Sequence, residues 1–118
     1  MAVPILKQGD VLIASIQSAL TDVDLVSLRD ALVNRVSSYR TRGVIVDVTA
    51  LDVLDSFASR TLRDLAHMIR LRGATTVIVG IQPDVAFAMV QLGLTLEDIV
   101  TALDLEEGLA FLSVRPKQ

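Results

Sequence analysis

The side chains best suited to chemistry lie in one short acidic stretch, from Asp52 to Ser59. Asp55 immediately precedes Ser56, and Ser59 follows three residues later. The sequence around them predicts the start of a helix, where backbone N–H groups without intrahelical partners and the helix dipole tolerate an anion. We therefore predict that Ser56 is a phosphorylation site, with Ser59 as the second candidate. The alternative is that Ser56 is an ordinary helix-capping residue, because serine is among the preferred caps.

A phosphate on Ser56 would add about −1.5 to −2 charges at pH 7. Arg60 lies one helical turn later and can pair with that phosphate. The modification need not unfold the domain, but it would repel an acidic surface of a partner. We expect Asp55, Phe57, Ser59 and Arg60 to form a partner-binding surface around Ser56.

The remaining candidate groups do not form a convincing site. Asp47 lies near the end of a predicted middle strand, as the acceptor aspartate of a phospho-receiver domain does, but the acidic pair and the lysine of such a site are missing. We therefore expect Asp47 to accept hydrogen bonds from local backbone. The single histidine, His67, is predicted to be exposed. Glycine-rich nucleotide loops and Gly-x-Ser-x-Gly are absent from the sequence, so we expect a non-enzymatic protein without a cofactor or metal.

Composition limits the classes of protein to consider. The 118 residues are 52% apolar and 21% charged, which predicts a single domain over residues 1–118. A net charge of −3 and the lack of tryptophan disfavour nucleic-acid binding. The absence of cysteine excludes disulfides and thiolate chemistry. With no secretion signal and no apolar run near the ~18 residues of a membrane span, we expect a cytoplasmic location without membrane contact.

The elements that must position Ser56 are predicted from hydrophobic spacing and turn residues. In chain order, the pattern predicts a β-hairpin of residues 3–6 and 11–16, a helix at 22–39, a central strand at 44–48, a helix at 56–71, a strand at 75–80, a helix beginning near Pro83 and ended by Gly93, a strand at 99–102 and a helix at 105–112. We expect Gly43 to be the glycine stop of the first long helix. Alternating strands and helices predict an α/β fold with four helices and a mainly parallel sheet, to which the hairpin adds an antiparallel strand.

The third predicted helix carries more apolar residues than one buried stripe requires. That stripe is complete with Val85, Ala88, Met89 and Leu92. Ala86, Phe87 and Val90 point elsewhere, on a face that would normally be polar in a solvated helix. Either a neighbouring loop buries them, or Phe87 and Val90 form a contact surface for another subunit.

Several of these features together resemble a known family. Asp55 and Ser56 open a helix after a central strand, and the stretches 80–85 (GIQPDV) and 91–94 (QLGL) follow at matching places. This order resembles STAS domains, the fold of anti-sigma-factor antagonists, over essentially the whole chain. Phe57 and Ala58 follow Ser56 where the wider family has a small polar residue and a glycine. That departure is like the RsbS-type branch, the small scaffolds of the bacterial stressosome.

The resemblance implies a scaffold that co-assembles with RsbR-like STAS paralogues and controls a general stress response. It implies that the scaffold sequesters a serine/threonine switch kinase and releases it when the kinase phosphorylates the serine matching Ser56, after which a phosphatase resets the state. One alternative is an anti-sigma factor antagonist that binds an anti-sigma kinase directly. Another is a small-ligand sensor that uses Asp47, Asp52 and Asp55 at the strand ends.

Overall fold

Alternating strands and helices form a five-stranded sheet covered on both faces. The computed structural model describes residues 3–91 and 99–113. Its elements are β1 (Ile5–Gln8), β2 (Val11–Ser15), α1 (Asp22–Tyr39), β3 (Gly43–Asp47), α2 (Ser56–Leu71), β4 (Thr75–Val79), α3 (Pro83–Gln91), β5 (Val100–Ala102) and α4 (Leu105–Ser113). The predicted α/β class, the four helices and the order of elements are confirmed. The predicted end of the third helix at Gly93 lies outside the described residues.

The strands are arranged in chain order, β1-β2-β3-β4-β5. β1 pairs antiparallel with β2, as the hairpin prediction requires, and the other three pairings are parallel. Parallel neighbours joined by crossover helices have their carboxyl ends at the same edge of the sheet. The loops that follow β2, β3, β4 and β5 therefore meet at one edge, which we call the carboxyl edge.

Alternating residues of the central strand β3 pack into two different cores. Val44 and Val46 belong to the larger core, which α1, α2 and α3 cover. Ile45 points to the other face and packs with Leu112 of α4. All three side chains are fully buried. This burial on both faces explains why the strand reads as a continuous apolar run without alternation.

The ends of α1 show one correct and one wrong prediction. Thr21 and Asp24 form a capping box, in which the Thr21 hydroxyl accepts from the Asp24 N–H (3.1 Å) and the Asp24 carboxylate accepts from the Thr21 N–H (3.4 Å). At the other end, Arg40 follows the last helical residue as the C-terminal cap, in the left-handed conformation with φ of 50°. Gly43 is instead the first residue of β3, where a Cβ would collide with the Leu112 side chain. The prediction that Gly43 stops the helix is therefore wrong.

None of the helices in residues 3–91 and 99–113 has the length and apolar character needed to cross a membrane.

Candidate functional site

The loop between β3 and α2, residues 48–55, presents Ser56 at the carboxyl edge. Two leucines hold the loop to the larger core, because Leu51 and Leu54 are both buried. The Leu51 N–H donates to the carbonyl of Val48 (2.9 Å). Between the leucines, Asp52 and Val53 face solvent, and Val53 is 69% exposed. The loop is thus anchored at two points and displays an acidic and an apolar side chain beside the helix start.

Asp55 caps α2, and Ser56 is its first helical residue. The Asp55 backbone is extended, and its Oδ1 accepts a hydrogen bond from the Ala58 N–H at 2.8 Å. The interpretation of Ser56 as the capping residue is therefore wrong. Ser56 is half-buried, and its hydroxyl makes no hydrogen bond with any of the described residues. The serine is thus not needed for the cap and remains available for another role.

The first turn of α2 has the groups that an anion needs. The first intrahelical bond of the helix is donated by the Ser59 N–H to the Asp55 carbonyl (3.0 Å). The N–H groups of Ser56 and Phe57 come before that bond and lie at the positive end of the helix dipole. Arg60 is exposed one turn beyond Ser56 and forms no ion pair within the described part of the chain.

Ser59 lies inside the fold, although it is only three residues from Ser56. It is 2% exposed, and its hydroxyl has no hydrogen-bond partner among the residues that the structure describes. α2 packs against both α1 and β4, so its buried face is wide enough to include Ser59 together with Leu62 and Ala66. A kinase or a partner cannot contact this side chain without local opening of the helix. Ser59 is therefore a poorer candidate than Ser56 for phosphorylation and for contact with a partner.

An apolar groove runs beside the candidate serine, between α1 and α2. Phe57 is half-buried against the larger core and lines a shallow, open depression of about 260 Å³ with Asp22, Val23, Val26 and Ser27 of α1. A cavity of about 100 Å³ lies under the loop and is lined mainly by apolar side chains, with Leu54, Asp55 and Ala58 among them. The surroundings of Ser56 therefore combine apolar contact area with carboxylates.

Two of the three carboxylates of the ligand-sensor alternative have local partners, whereas Asp52 faces solvent. Asp47 Oδ1 accepts from both the N–H (2.9 Å) and the hydroxyl (2.6 Å) of Thr49, which confirms the prediction that Asp47 bonds locally. Asp55 is occupied as the cap of α2. Within residues 3–91 and 99–113, acidic and histidine side chains form no group that could hold a metal ion. His67 is exposed, as predicted.

α3 exposes the apolar residues that its core packing does not use. Val85 and Met89 are buried, whereas Phe87 is 65% and Val90 is 78% exposed. The interpretation that a neighbouring loop buries these two residues is therefore wrong. Their role as a contact surface for another subunit remains a prediction. Leu92, the fourth member of the predicted stripe, lies outside the described residues.

One residue near the site was not predicted to contribute to it. The Gln82 side-chain Nε2 donates to the carbonyl of Thr49 at 2.7 Å and so joins the start of α3 to the loop before Ser56. The available signal was the stretch of residues 80–85, which predicts the start of α3 and carries part of the resemblance to STAS domains.

Comparison with known proteins identifies the family. A family model described as the STAS domain matches residues 2–108. The chain belongs to the STAS family. This STAS domain is similar to Moorella thermoacetica RsbS, solved as a serine-to-glutamate variant, with a TM-score of 0.83, 32% identity and coverage of 94% of each chain. It is also similar to a chain in the structure of the stressosome, described as a signal integration and transduction hub, with a TM-score of 0.77, 31% identity and coverage of 93% of this chain and 96% of that one.

A curated relative points to the same group of proteins. The STAS domain is 29% identical over 82 residues to the RsbT co-antagonist protein RsbRA of Bacillus subtilis (strain 168). The match covers 70% of this chain but only 30% of the relative. The chain therefore spans less than a third of that protein's length. The resemblance to STAS domains of the stressosome branch is confirmed.

Proposed function

We propose that this STAS domain is a non-catalytic cytoplasmic scaffold of a stressosome-like assembly, which sequesters a serine/threonine kinase and releases it when Ser56 is phosphorylated. The observation that carries the proposal is the position of Ser56. It is the first residue of α2, its hydroxyl has no structural hydrogen bond among the described residues, and Asp55 already fills the cap. A hydroxyl that is fixed in position near the surface and makes no hydrogen bond within the fold can be modified reversibly without loss of a structural contact.

The surroundings of Ser56 explain how a phosphate would act without unfolding the domain. The N–H groups of the first turn can donate to it, and Arg60 lies on the same face of α2 one turn later. The cap at Asp55 is unaffected because it uses the Ala58 N–H. The added charge therefore changes the surface while the fold persists.

The kinase is expected to dissociate for two physical reasons. The phosphate adds about −1.5 to −2 charges beside the carboxylates of Asp52 and Asp55, which disfavours any acidic group of the partner nearby. It also introduces a strongly hydrated dianion next to the apolar contact area of Phe57 and Val53, and desolvating it there is costly. A phosphatase that removes the phosphate restores the binding surface.

The proposed partners within the assembly are RsbR-like STAS paralogues. The similarity to RsbRA and to a chain of the stressosome supports this part of the proposal. Phe87 and Val90 on α3 are the candidate contacts, because exposed apolar side chains on one face of a helix are typical of protein interfaces. Asp55, Phe57 and Arg60 are the candidate contacts for the kinase.

The test is phosphorylation by the cognate serine/threonine kinase. After incubation with ATP, mass spectrometry should find phosphate on Ser56, in the wild type and in Ser59→Ala, but not in Ser56→Ala. In a kinase pull-down, wild type and Ser56→Ala should bind, whereas Ser56→Asp should lose affinity by about tenfold or more, equivalent to ~1.4 kcal/mol. Phosphate that persists in Ser56→Ala would refute the assignment of the acceptor.

A further inference from the structure

The loops that follow β3 and β4 are joined at Thr49. The Gln82 Nε2 donates to the Thr49 carbonyl at 2.7 Å, across 33 residues of sequence. The Thr49 N–H and hydroxyl both donate to Asp47 Oδ1, at 2.9 and 2.6 Å. The Thr49 carbonyl is therefore held by Gln82 in the loop after β4. Its N–H and hydroxyl are held by Asp47 at the end of β3.

Gly80 makes this close approach of the two loops possible. Its φ is 79°, in the left-handed region, and a Cβ at this position would overlap the Thr49 side chain. The Gly80 N–H donates to the Ala102 carbonyl of β5 (3.2 Å), and the Val48 N–H donates to the Val79 carbonyl of β4 (3.0 Å). The residues on each side of the contact are thus fixed to the sheet, and Gln82 extends from a defined position.

We propose that Gln82 is a positioning residue for the phosphorylation of Ser56. It holds the Thr49 carbonyl and so fixes the beginning of the loop that presents the serine. From Thr49 onward the loop is held by buried Leu51 and Leu54 and ends at the Asp55 cap. Within the described structure, Val48 keeps its bond to the Val79 carbonyl when the Gln82 bond is lost, but Thr49 then bonds only to Asp47 of β3. The loop from Thr49 to Leu51 therefore samples shapes that the kinase does not bind. This inference rests on the proposed function of Ser56.

The same bond couples α3 to the serine. Gln82 directly precedes Pro83, the first residue of α3, and the described part of this helix buries only Val85 and Met89. A partner that binds Phe87 and Val90 and shifts α3 also shifts Gln82, and through it the loop before Ser56. Such coupling is reciprocal by thermodynamic necessity, so the state of the loop also changes the affinity of the α3 surface for its partner.

The test uses two substitutions of Gln82 and one matched control. Gln82→Glu keeps the shape of the side chain but replaces the donor with a carboxylate oxygen that faces the Thr49 carbonyl. Gln82→Met removes the donor without adding charge. Gln8→Glu makes the same change of charge on exposed Gln8 at the end of β1, on the opposite edge of the sheet. Circular dichroism should show that all three variants are folded.

Two measurements are expected to respond to the loss of the bond. In steady-state phosphorylation, KM for the STAS domain should rise by about fivefold in both Gln82 variants, the effect of one lost hydrogen bond, with kcat unchanged because Gln82 does not contact the serine. Amide hydrogen exchange should accelerate by a similar factor at residues 49–56 and remain unchanged in α1. Gln8→Glu should match the wild type in both measurements.

The outcomes separate this inference from the proposed function. Wild-type KM in both Gln82 variants would overturn the positioning role, even if Ser56 is phosphorylated normally. If the kinase does not modify Ser56 in the wild type, the proposed function fails. Hydrogen exchange then still decides whether Gln82 holds the loop, and unchanged exchange at residues 49–56 would overturn that as well.

Discussion

α2 and α3 begin at the same edge of the sheet but are built differently. α2 buries seven of its 16 residues and is capped by Asp55, so Ser56 is held on a rigid platform. α3 buries two of its nine residues and exposes Phe87 and Val90. The difference teaches that the candidate modification site lies on the more deeply buried helix, whereas Phe87 and Val90 lie on the helix that packs less against the core. A modification site needs a fixed shape, whereas a contact surface needs apolar area that the core does not use.

The largest effect is expected at Gly80, where the loops leading to these two helices touch. Gly80→Ala should lower the free energy of unfolding by about 3 kcal/mol, because it combines a left-handed backbone with a collision against Thr49. Gly73→Ala is the matched control. Gly73 also has a positive φ, 89°, but a Cβ added there would meet no other atom within 4 Å. There we expect only about 1 kcal/mol. If urea denaturation gives the same loss of unfolding free energy for Gly80→Ala and Gly73→Ala, the space between Gly80 and Thr49 is large enough for a Cβ.

A smaller effect distinguishes the cap of α2 from the serine beside it. Asp55→Ala should destabilise the domain by about 1 kcal/mol, since the Ala58 N–H loses its acceptor. Ser56→Ala should change stability by less than about 0.5 kcal/mol, because its hydroxyl makes no bond in the described structure. Thermal denaturation of the two variants measures both values. A larger loss in Ser56→Ala would mean that the serine has a structural role after all.

The smallest effect on stability is expected on the exposed face of α3. Phe87→Glu should change the free energy of unfolding by less than about 0.5 kcal/mol, because the ring is mostly exposed. It should nevertheless shift sedimentation velocity toward smaller species, for the chain alone or mixed with an RsbR-like paralogue. Leu71→Glu, at an exposed position at the end of α2, is the control and should sediment as the wild type does. Unchanged sedimentation of Phe87→Glu would exclude this surface from the assembly.

Local patterns in the sequence were sufficient for most elements of the fold. The helices at Asp22–Tyr39 and Ser56–Leu71 were predicted with the bounds that the structure has, because their apolar residues recur at helical spacing and each follows a residue whose side chain can cap a helix. The hairpin followed from its turn residues in the same way. The glycine stop at Gly43 was wrong because the need for space beside Leu112 outweighed the usual role of glycine at a helix end.

The details of the site depend on tertiary contacts that no local pattern encodes. Aspartate and serine are about equally good caps, so the sequence alone could not choose between Asp55 and Ser56. Ser59 is buried on a helix that contacts both α1 and β4, and the width of this buried face depends on those tertiary contacts. The Gln82 bond to Thr49 requires the register that pairs Asp47 with Val79, since this pairing brings the two loops together.

The parallel order of β2 to β5 gives the domain an electrical polarity. Each of the four helices begins at the carboxyl edge, and most of their first turns carry acidic residues, namely Asp22, Asp24, Asp84, Glu106 and Glu107. At the opposite edge, α1 and α2 end near Arg40, Arg70 and Arg72. The electric field of a charged partner orients a molecule that has a negative and a positive end before the two surfaces come into contact. For a partner that is basic where it meets the carboxyl edge, the rate of encounter should therefore fall as salt is added, even where the affinity of the final complex depends mainly on apolar contact.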